Sequence, residues 1–450
     1  MTRNLRFVVC LFIITFLHTS KSVYSQTATF SPYSRYGIGE LLYNGYSWQR
    51  AMGGISVATW SASHLNFGNP ASYAADSVTL FEAGINGEAV NIANSTTSQN
   101  KVNGNVSYLA MGFPLVKTKW YLSMGLLPVS TAGYNIKQAS STPALPGDAQ
   151  LYYQGDGGFN RYFLGTGFKI TENLWAGVNG SYLYGSIDRT KRVEFEEGHY
   201  LNTRITNLLT LGGFYAEGGL IYKKKLHNGH TFTAGLTFSP GMNVRARQDE
   251  LWVNYYLSAA GFELKRDTVS FYERIKGDVK MPMQVGVGFS FSNEDKWLIG
   301  FDARYQQWED LEIYTKNAGL NNTLRIATGV QWMPDPKSLK YFRKVTYRLG
   351  GYYNSPKLTD ATQSLGGIYL VGDLFDKPAL QVKTSDINEA GLTFGLGLPL
   401  RGKPYPSDLD VSFEFSERGT VKNNLVRERY FKVILGFTLR EEWFRKAKFD

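Results

Sequence analysis

Side chains that do chemistry are sparse and scattered in this 450-residue chain. Beyond residue 25 the histidines are His64, His199, His227 and His230, in four different contexts and without an HExxH motif. A metal needs several ligands converging at a fixed spacing. Only His227 and His230 are close in sequence, and they read as solvated residues of a short turn. No metal and no other cofactor is expected. The single cysteine, Cys10, sits in an apolar run near the N-terminus, and no G-x-S-x-G elbow occurs. "GLPLRGK" (397–403) matches the first seven positions of a phosphate loop, but Pro404 stands where Ser or Thr is required. Pro406 then prevents a helix from starting there. No enzymatic activity is expected.

What remains is a set of charges, Lys169, Asp302, Arg304, Arg325, Arg348, Asp410, Glu414 and Lys432, each at a position that alternates with apolar neighbours. Such charges need a scaffold that turns all of them to one side. Period-two alternation supplies it. In "LDVSFEFS", Leu409, Val411, Phe413 and Phe415 share one face and Asp410, Ser412, Glu414 and Ser416 the other. "KWLIGFDARYQ" (296–306) and "YFKVILGFTL" (430–439) repeat the pattern. Candidate strands lie near 79–91, 104–114, 119–128, 160–170, 173–187, 205–223, 230–240 and 283–292. Six more lie near 296–307, 322–333, 344–354, 389–400, 407–417 and 428–439, making fourteen.

The links between them alternate strictly in length. Short turns are 116–119, 171–173, 223–230, 292–296, 335–343 and 401–407. Long links are 92–103, 129–159, 188–204, 241–282, 308–321, 355–388 and 418–427. A transmembrane barrel has this rhythm, with short periplasmic turns and long extracellular loops. Lipid also makes the apolar strand face favourable, and closure pairs every edge. Trp120, Trp175, Trp297, Trp308 and Trp332 suit the interfacial girdles. The predicted fold is therefore all-β, an antiparallel outer-membrane barrel of about 14 strands over residues 79–439.

Composition agrees, with 47 Gly, 29 Tyr and 28 Phe, far from the balance of a helical protein. Arg3, Arg6 and the apolar run 7–17 read as a signal peptide over 1–25, with cleavage expected before Gln26. Removing Arg3, Arg6 and Lys21 lowers the formal charge from +10 to +7 without leaving a basic block, so no nucleic-acid partner is expected. Strand parity puts both ends of the barrel chain on the periplasmic side, with 440–450 as a tail. Residues 26–78, few in charges and lacking long alternation, are too long for a lead-in. A fourteen-strand lumen needs filling, and this segment is the expected hatch.

A signal peptide, "RAMGGISVA" (50–58), "NPA" (69–71) and fourteen strands together resemble the FadL/TodX-type outer-membrane transporters of hydrophobic compounds. "SPYSRYGIGEL" (31–41) is similar to the Bacteroidota-like branch. The resemblance implies that Gly53, Gly54, Asn69, Pro70 and Ala71 are hatch residues. It also implies a lateral gate in the third strand, placed here at Gly125 to Pro128. There Pro128 either breaks the ladder or ends the strand. Ligand would load through apolar extracellular loops. Only 241–282 qualifies, with Leu251, Trp252, Tyr255, Tyr256 and Phe262, since 188–204 is highly charged.

Two functions follow as expectations. One is passive uptake of a hydrophobic small molecule, of the fatty-acid or aromatic-hydrocarbon class, by binding and hatch movement. The other is an accessory, shuttle or plug subunit of a larger outer-membrane secretion or assembly complex. Expected partners are outer-membrane lipid, the small molecule, and in the second case a larger outer-membrane protein complex. The inward charges serve either as a polar conduit or as ion pairs with each other and the hatch.

Overall fold

A computed structural model describes residues 29–43, 45–139, 149–195, 200–226, 229–293, 296–355, 387–400, 406–422 and 425–443. The predicted signal peptide with Cys10, His199, His227, residues 401–403 of the phosphate-loop match and the last part of the tail lie outside them.

Fourteen antiparallel strands close into a barrel. They are β1 (Thr79–Ala93), β2 (Ser98–Val116), β3 (Trp120–Ala139), β4 (Ala149–Lys169), β5 (Leu174–Phe195) and β6 (Asn202–Lys225). β7 has two pieces, His230–Ser239 and Met242–Leu257, as does β8, Glu263–Met281 and Gln284–Asn293. The wall continues with β9 (Trp297–Gln306), β10 (Thr323–Trp332), β11 (Thr346–Asn354), β12 (Glu389–Pro399), β13 (Asp408–Gly419) and β14 (Arg427–Glu441). β14 pairs with β1 along its whole length and removes the last edge.

Alternation decides which face meets lipid. Phe431, Leu435, Phe437 and Leu439 of β14 are exposed while Glu428, Tyr430, Ile434 and Thr438 are buried. Outward rings stack across strands, with centroids 4.6 Å apart for Phe394 and Phe413 and 4.8 Å for Phe415 and Phe431. β7 and β8 break at one height, where Ser239 faces Gln284 and Met242 faces Met281. Pro240 and Pro282 sit in the two breaks, and neither can donate a ladder hydrogen bond.

The strand count and order match the expectation, but the strands on the long-loop side run further than the alternation indicated. The expected link 188–204 is mostly ladder, since β5 extends to Phe195 and β6 starts at Asn202. The expected loop 241–282 is a hairpin that continues β7 and β8 above the wall. In these extensions polar and apolar residues mix on both strand faces, so the period-two signal fades although the backbone pairing continues. His230 is also not a simple solvated turn residue. It begins β7 and stacks on Phe291, with centroids 5.4 Å apart.

Inside the barrel runs the chain from Thr29 to Val78. It holds a 3-10 turn (Pro32–Arg35), a short extended piece (Glu40–Leu41), one helical turn (Ser47–Arg50) and a second 3-10 turn (Pro70–Ala75). Residues 51–59 are buried throughout. Link 308–321 folds in over the other end, where Trp308, Leu311, Ile313 and Leu320 pack with Ile38 and Phe159.

Candidate functional site: the lumenal segment and its wall

The helical turn Ser47–Arg50 ends because Gly53 and Gly54 take φ of +68° and +83°, a region that side chains resist. That reversal aims successive backbone groups at different strands. Gly53 N–H donates to Thr393 Oγ1 on β12 (2.8 Å), and Arg325 on β10 donates to the Gly53 carbonyl (2.9 Å). One carboxylate oxygen of Asp302 on β9 accepts both Ser56 N–H (2.5 Å) and Val57 N–H (2.8 Å). Ser290 on β8 donates to the Ala58 carbonyl at 2.7 Å. The wall makes room with glycine. A Cβ on Gly235 would run into the Val57–Ala58 backbone, one on Gly288 into the Asp302 carboxylate and Val57, and one on Gly177 into Pro70 and Ala71.

Asn69 caps the second 3-10 turn, its Oδ1 accepting Ala71 N–H at 3.1 Å, and Pro70 supplies the fixed φ of the first position. Its amide then ties two distant places. Nδ2 donates to the Val57 carbonyl (2.7 Å) and to the Leu220 carbonyl on β6 (3.1 Å). Ala71 packs with Trp175 and Ile221 on the inner wall.

Charges lock the segment further. Arg50 lies 2.8 Å from Glu414 on β13, which Lys432 on β14 approaches to 3.8 Å. Lys432 also pairs with Glu88 at 3.2 Å. His64 Nε2 lies 3.1 Å from Asp410 Oδ2, and the other oxygen of Asp410 pairs with Arg348 on β11. Glu82 on β1 accepts Leu65 N–H at 2.7 Å. Near the opposite end Arg418 reaches Glu40 at 2.9 Å and Glu428 at 2.6 Å, and Ser31 donates to Glu428 at 2.6 Å. Arg304 donates to Ser56 and to the Gly68 carbonyl (3.2 Å). Arg325 stands over the Tyr43 ring at 4.4 Å, and Tyr43 in turn donates to the Gly54 carbonyl.

Seven of the eight inward charges, Asp302, Arg304, Arg325, Arg348, Asp410, Glu414 and Lys432, thus converge on the lumenal segment or its partners. Lys169 instead pairs with Glu172 in a turn, at 2.8 Å. Sequence reasoning missed Glu40, Arg50, His64, Glu82, Arg418 and Glu428. The N-terminal ones carry no strand alternation, Glu82 and Glu428 belong to expected strands whose inward parity was unused, and Arg418 was placed in the link 418–427 although its strand runs to Gly419.

At the expected gate the ladder between β2 and β3 ends at Leu109 and Leu126. Gly125 is still paired, opposite Ala110. Pro128 does not end its strand, because β3 continues to Ala139 with a bulge between Pro128 and Ser130 against β4. The vacated edge of β3 is taken by the lumenal segment. Glu40 pairs with Thr131 and Leu41 with Ser130, Leu42 N–H donates to the Val129 carbonyl (2.9 Å), and Ser130 donates to the Ile38 carbonyl (2.7 Å).

Two cavities flank residues 40–43. One, of about 270 Å³, is lined by Tyr33, Phe67, Leu183, Tyr215 and Trp308 together with Arg304. The other, about 80 Å³, is polar and is lined by Glu88, Asn105, Thr131, Glu414 and Lys432. The expected loading residues do not converge on either. Tyr255 is buried and donates to Glu194 (2.8 Å), and Trp252 donates to Glu250 (2.7 Å). Leu251 sits in the ladder opposite Phe271, and Tyr256 and Phe262 point to solvent at the hairpin tip. Adjacent ladder positions face opposite ways, and the hairpin, with register shifts after Lys265, Thr268 and Tyr272, keeps these side chains apart. Among the described residues no His, Cys, Asp and Glu cluster is placed to hold a metal.

A family model described as BamG matches residues 1–368 and 367–450. No curated protein matches the chain. Among solved structures, the CymD monoaromatic hydrocarbon channel superposes with a TM-score of 0.55 at 12% identity, covering 90% of this chain and 99% of that one. A Pseudomonas aeruginosa FadL homologue gives 0.58 at 9%, covering 89% and 99%. The Pseudomonas putida toluene transporter TodX gives 0.54 at 14%, covering 90% and 100%. At such identities the likeness is one of fold, that of a closed transmembrane β-barrel.

Proposed function

The chain belongs to the BamG family, and from that premise we propose that it is a stoppered outer-membrane barrel acting as an accessory subunit of a larger outer-membrane complex, without enzymatic activity. The observation that carries this reading is the attachment of residues 47–69 to opposite walls of the lumen. Asp302, Thr393, Glu414, Asp410, Glu82 and Leu220 hold it from β9, β12, β13, β1 and β6. Breaking one buried ion pair alone costs about 3–5 kcal/mol. Removing the whole segment breaks several at once, which supports a stopper over a moving hatch. The smaller cavity, lined by Asn105 of β2 and Thr131 of β3, is polar and so a poor path for an apolar solute. The opening 31–41 supports placement in the Bacteroidota-like branch.

A second reading keeps passive uptake of a hydrophobic molecule, with residues 53, 54 and 69–71 as a moving hatch and the gap beyond Leu126 as its gate. The larger cavity, lined by Tyr33, Phe67, Tyr215 and Trp308, favours it. The neighbours named as hydrocarbon channels and toluene transporter add support at the level of fold.

Purification in a mild detergent, with mass spectrometry of proteins and lipids, separates the two. A larger barrel in stoichiometric amount supports the subunit reading. A solitary barrel carrying a hydrophobic ligand supports uptake instead.

A further inference from the structure

One short turn combines several cations with the most exposed apolar side chain among the described residues, Leu339. Residues 333–345, "MPDPKSLKYFRKV", join β10 to β11 and fold on themselves. Asp335 N–H donates to the Arg343 carbonyl (2.9 Å), Lys337 N–H to Asp335 Oδ1 (3.1 Å) and Lys340 N–H to Ser338 Oγ (3.2 Å). A helical turn, Tyr341–Lys344, closes the link.

This order leaves apolar groups in the open. Leu339 is 99% exposed, Phe342 77% and Tyr341 48%. An ordered turn that holds a leucine and a phenylalanine outside any core requires another apolar phase to receive them. Lys337, Lys340 and Arg343 are exposed beside them and Lys344 is half-buried. None of these four cations pairs with a described carboxylate. Two cations of other short turns do pair, Lys117 with Glu442 at 2.5 Å and Lys169 with Glu172 at 2.8 Å.

Position selects the apolar phase. Tyr347 and Trp332 lie on the lipid-facing parity of β11 and β10, with ring centroids 5.8 Å apart. The Tyr347 hydroxyl donates to the Phe342 carbonyl at 3.2 Å. The helical turn is thereby tied to the outer rim of the barrel and away from the lumen, continuous with exposed Trp332 and Leu349.

We propose that residues 337–344 form a docking site for the phospholipid leaflet facing the periplasm. Leu339, Tyr341 and Phe342 enter the acyl boundary, and Lys337, Lys340, Arg343 and Lys344 hold anionic headgroups. The site is independent of whether the barrel is a subunit or an uptake channel.

The test places a nitroxide at Leu339→Cys, and separately at Phe342→Cys, in a Cys10→Ser background of the full barrel. The protein is reconstituted in vesicles of phosphatidylcholine with one-fifth phosphatidylglycerol. Retained phosphatidylglycerol is counted in parallel by native mass spectrometry, for the parent and for K337Q/K340Q/R343Q/K344Q. Both labels are expected to collide more with oxygen than with a water-soluble nickel chelate, and the fourfold variant to retain at most half as much phosphatidylglycerol. Labels that favour the nickel chelate would overturn the proposal. So would labels shielded from both reagents by a crosslinkable periplasmic protein, and so would unchanged lipid retention.

Discussion

Arg50, in the lumenal segment, lies 2.8 Å from Glu414 of β13, with both side chains nearly excluded from water. The pair joins a part of the chain without strand character to the wall that encloses it. Arg50→Ala leaves Glu414 with Lys432 at 3.8 Å and a hydrogen bond from Tyr352 at 2.9 Å. The loss is therefore expected near the low end for a broken buried pair, about 3 kcal/mol. Thermal unfolding should show a lower midpoint for Arg50→Ala than for the double variant Arg50→Met/Glu414→Gln. Equal midpoints would mean that the pair contributes nothing to seating the segment.

Gly235 is the place where β7 lets the Val57–Ala58 backbone approach the wall. Gly235→Leu puts a side chain into that contact and should displace residues 55–58. Cleavage of the lumenal segment by an added protease is expected to rise at least tenfold, with the barrel itself staying intact. Gly180→Leu, at a glycine with almost no neighbour, should leave cleavage unchanged.

Asp76 is buried, and among the described residues neither of its carboxylate oxygens has a hydrogen-bond partner. Burial pushes its carboxyl well above the usual range, and nearby Glu82 adds to the shift. A raised folded pKa means stability that is fully present below the ordinary carboxylate value and lost as pH rises toward the folded one. Asp76→Asn removes this dependence. Its melting midpoint should equal or exceed that of the parent, by a margin that grows as pH rises above the ordinary carboxylate value of about 4. A margin independent of pH would contradict the account.

How much of this was readable from the residues differs along the chain. The wall was legible because each strand must meet lipid on one side, which forces patterns such as Leu409, Val411, Phe413 and Phe415. Where that pressure ends, legibility ends. The ladders of Thr190 with Thr206 and of Glu250 with Tyr272 lie above the membrane and present polar groups on both faces. They read as loops. The inward charges were found as a group, but their partners were not. Arg50 and His64 lie in a segment with no period, and nothing local in the sequence connects them to Glu414 and Asp410 more than three hundred residues away. Asn69 and Pro70 were singled out through the family resemblance, and the structure adds the local role of Asn69, the cap on Ala71. The neighbourhood of the gap was indicated through the family resemblance. That Glu40 and Leu41 fill it was not, since two residues are too few to carry alternation.

The central claim is that the lumenal segment stays in place while the protein works. Glu40–Leu41 and Ser130–Thr131 are ladder partners, and such residues lie close enough for a disulfide. Leu41→Cys/Ser130→Cys, in the Cys10→Ser background, therefore crosslinks the segment to the free edge of β3. Hydrophobic-solute uptake into proteoliposomes and recovery of the partner barrel are then measured before and after reduction. The account predicts the same partner recovery in both states and no uptake in either. Uptake that appears on reduction and vanishes on reoxidation would contradict it, and would make residues 40–43 a gate.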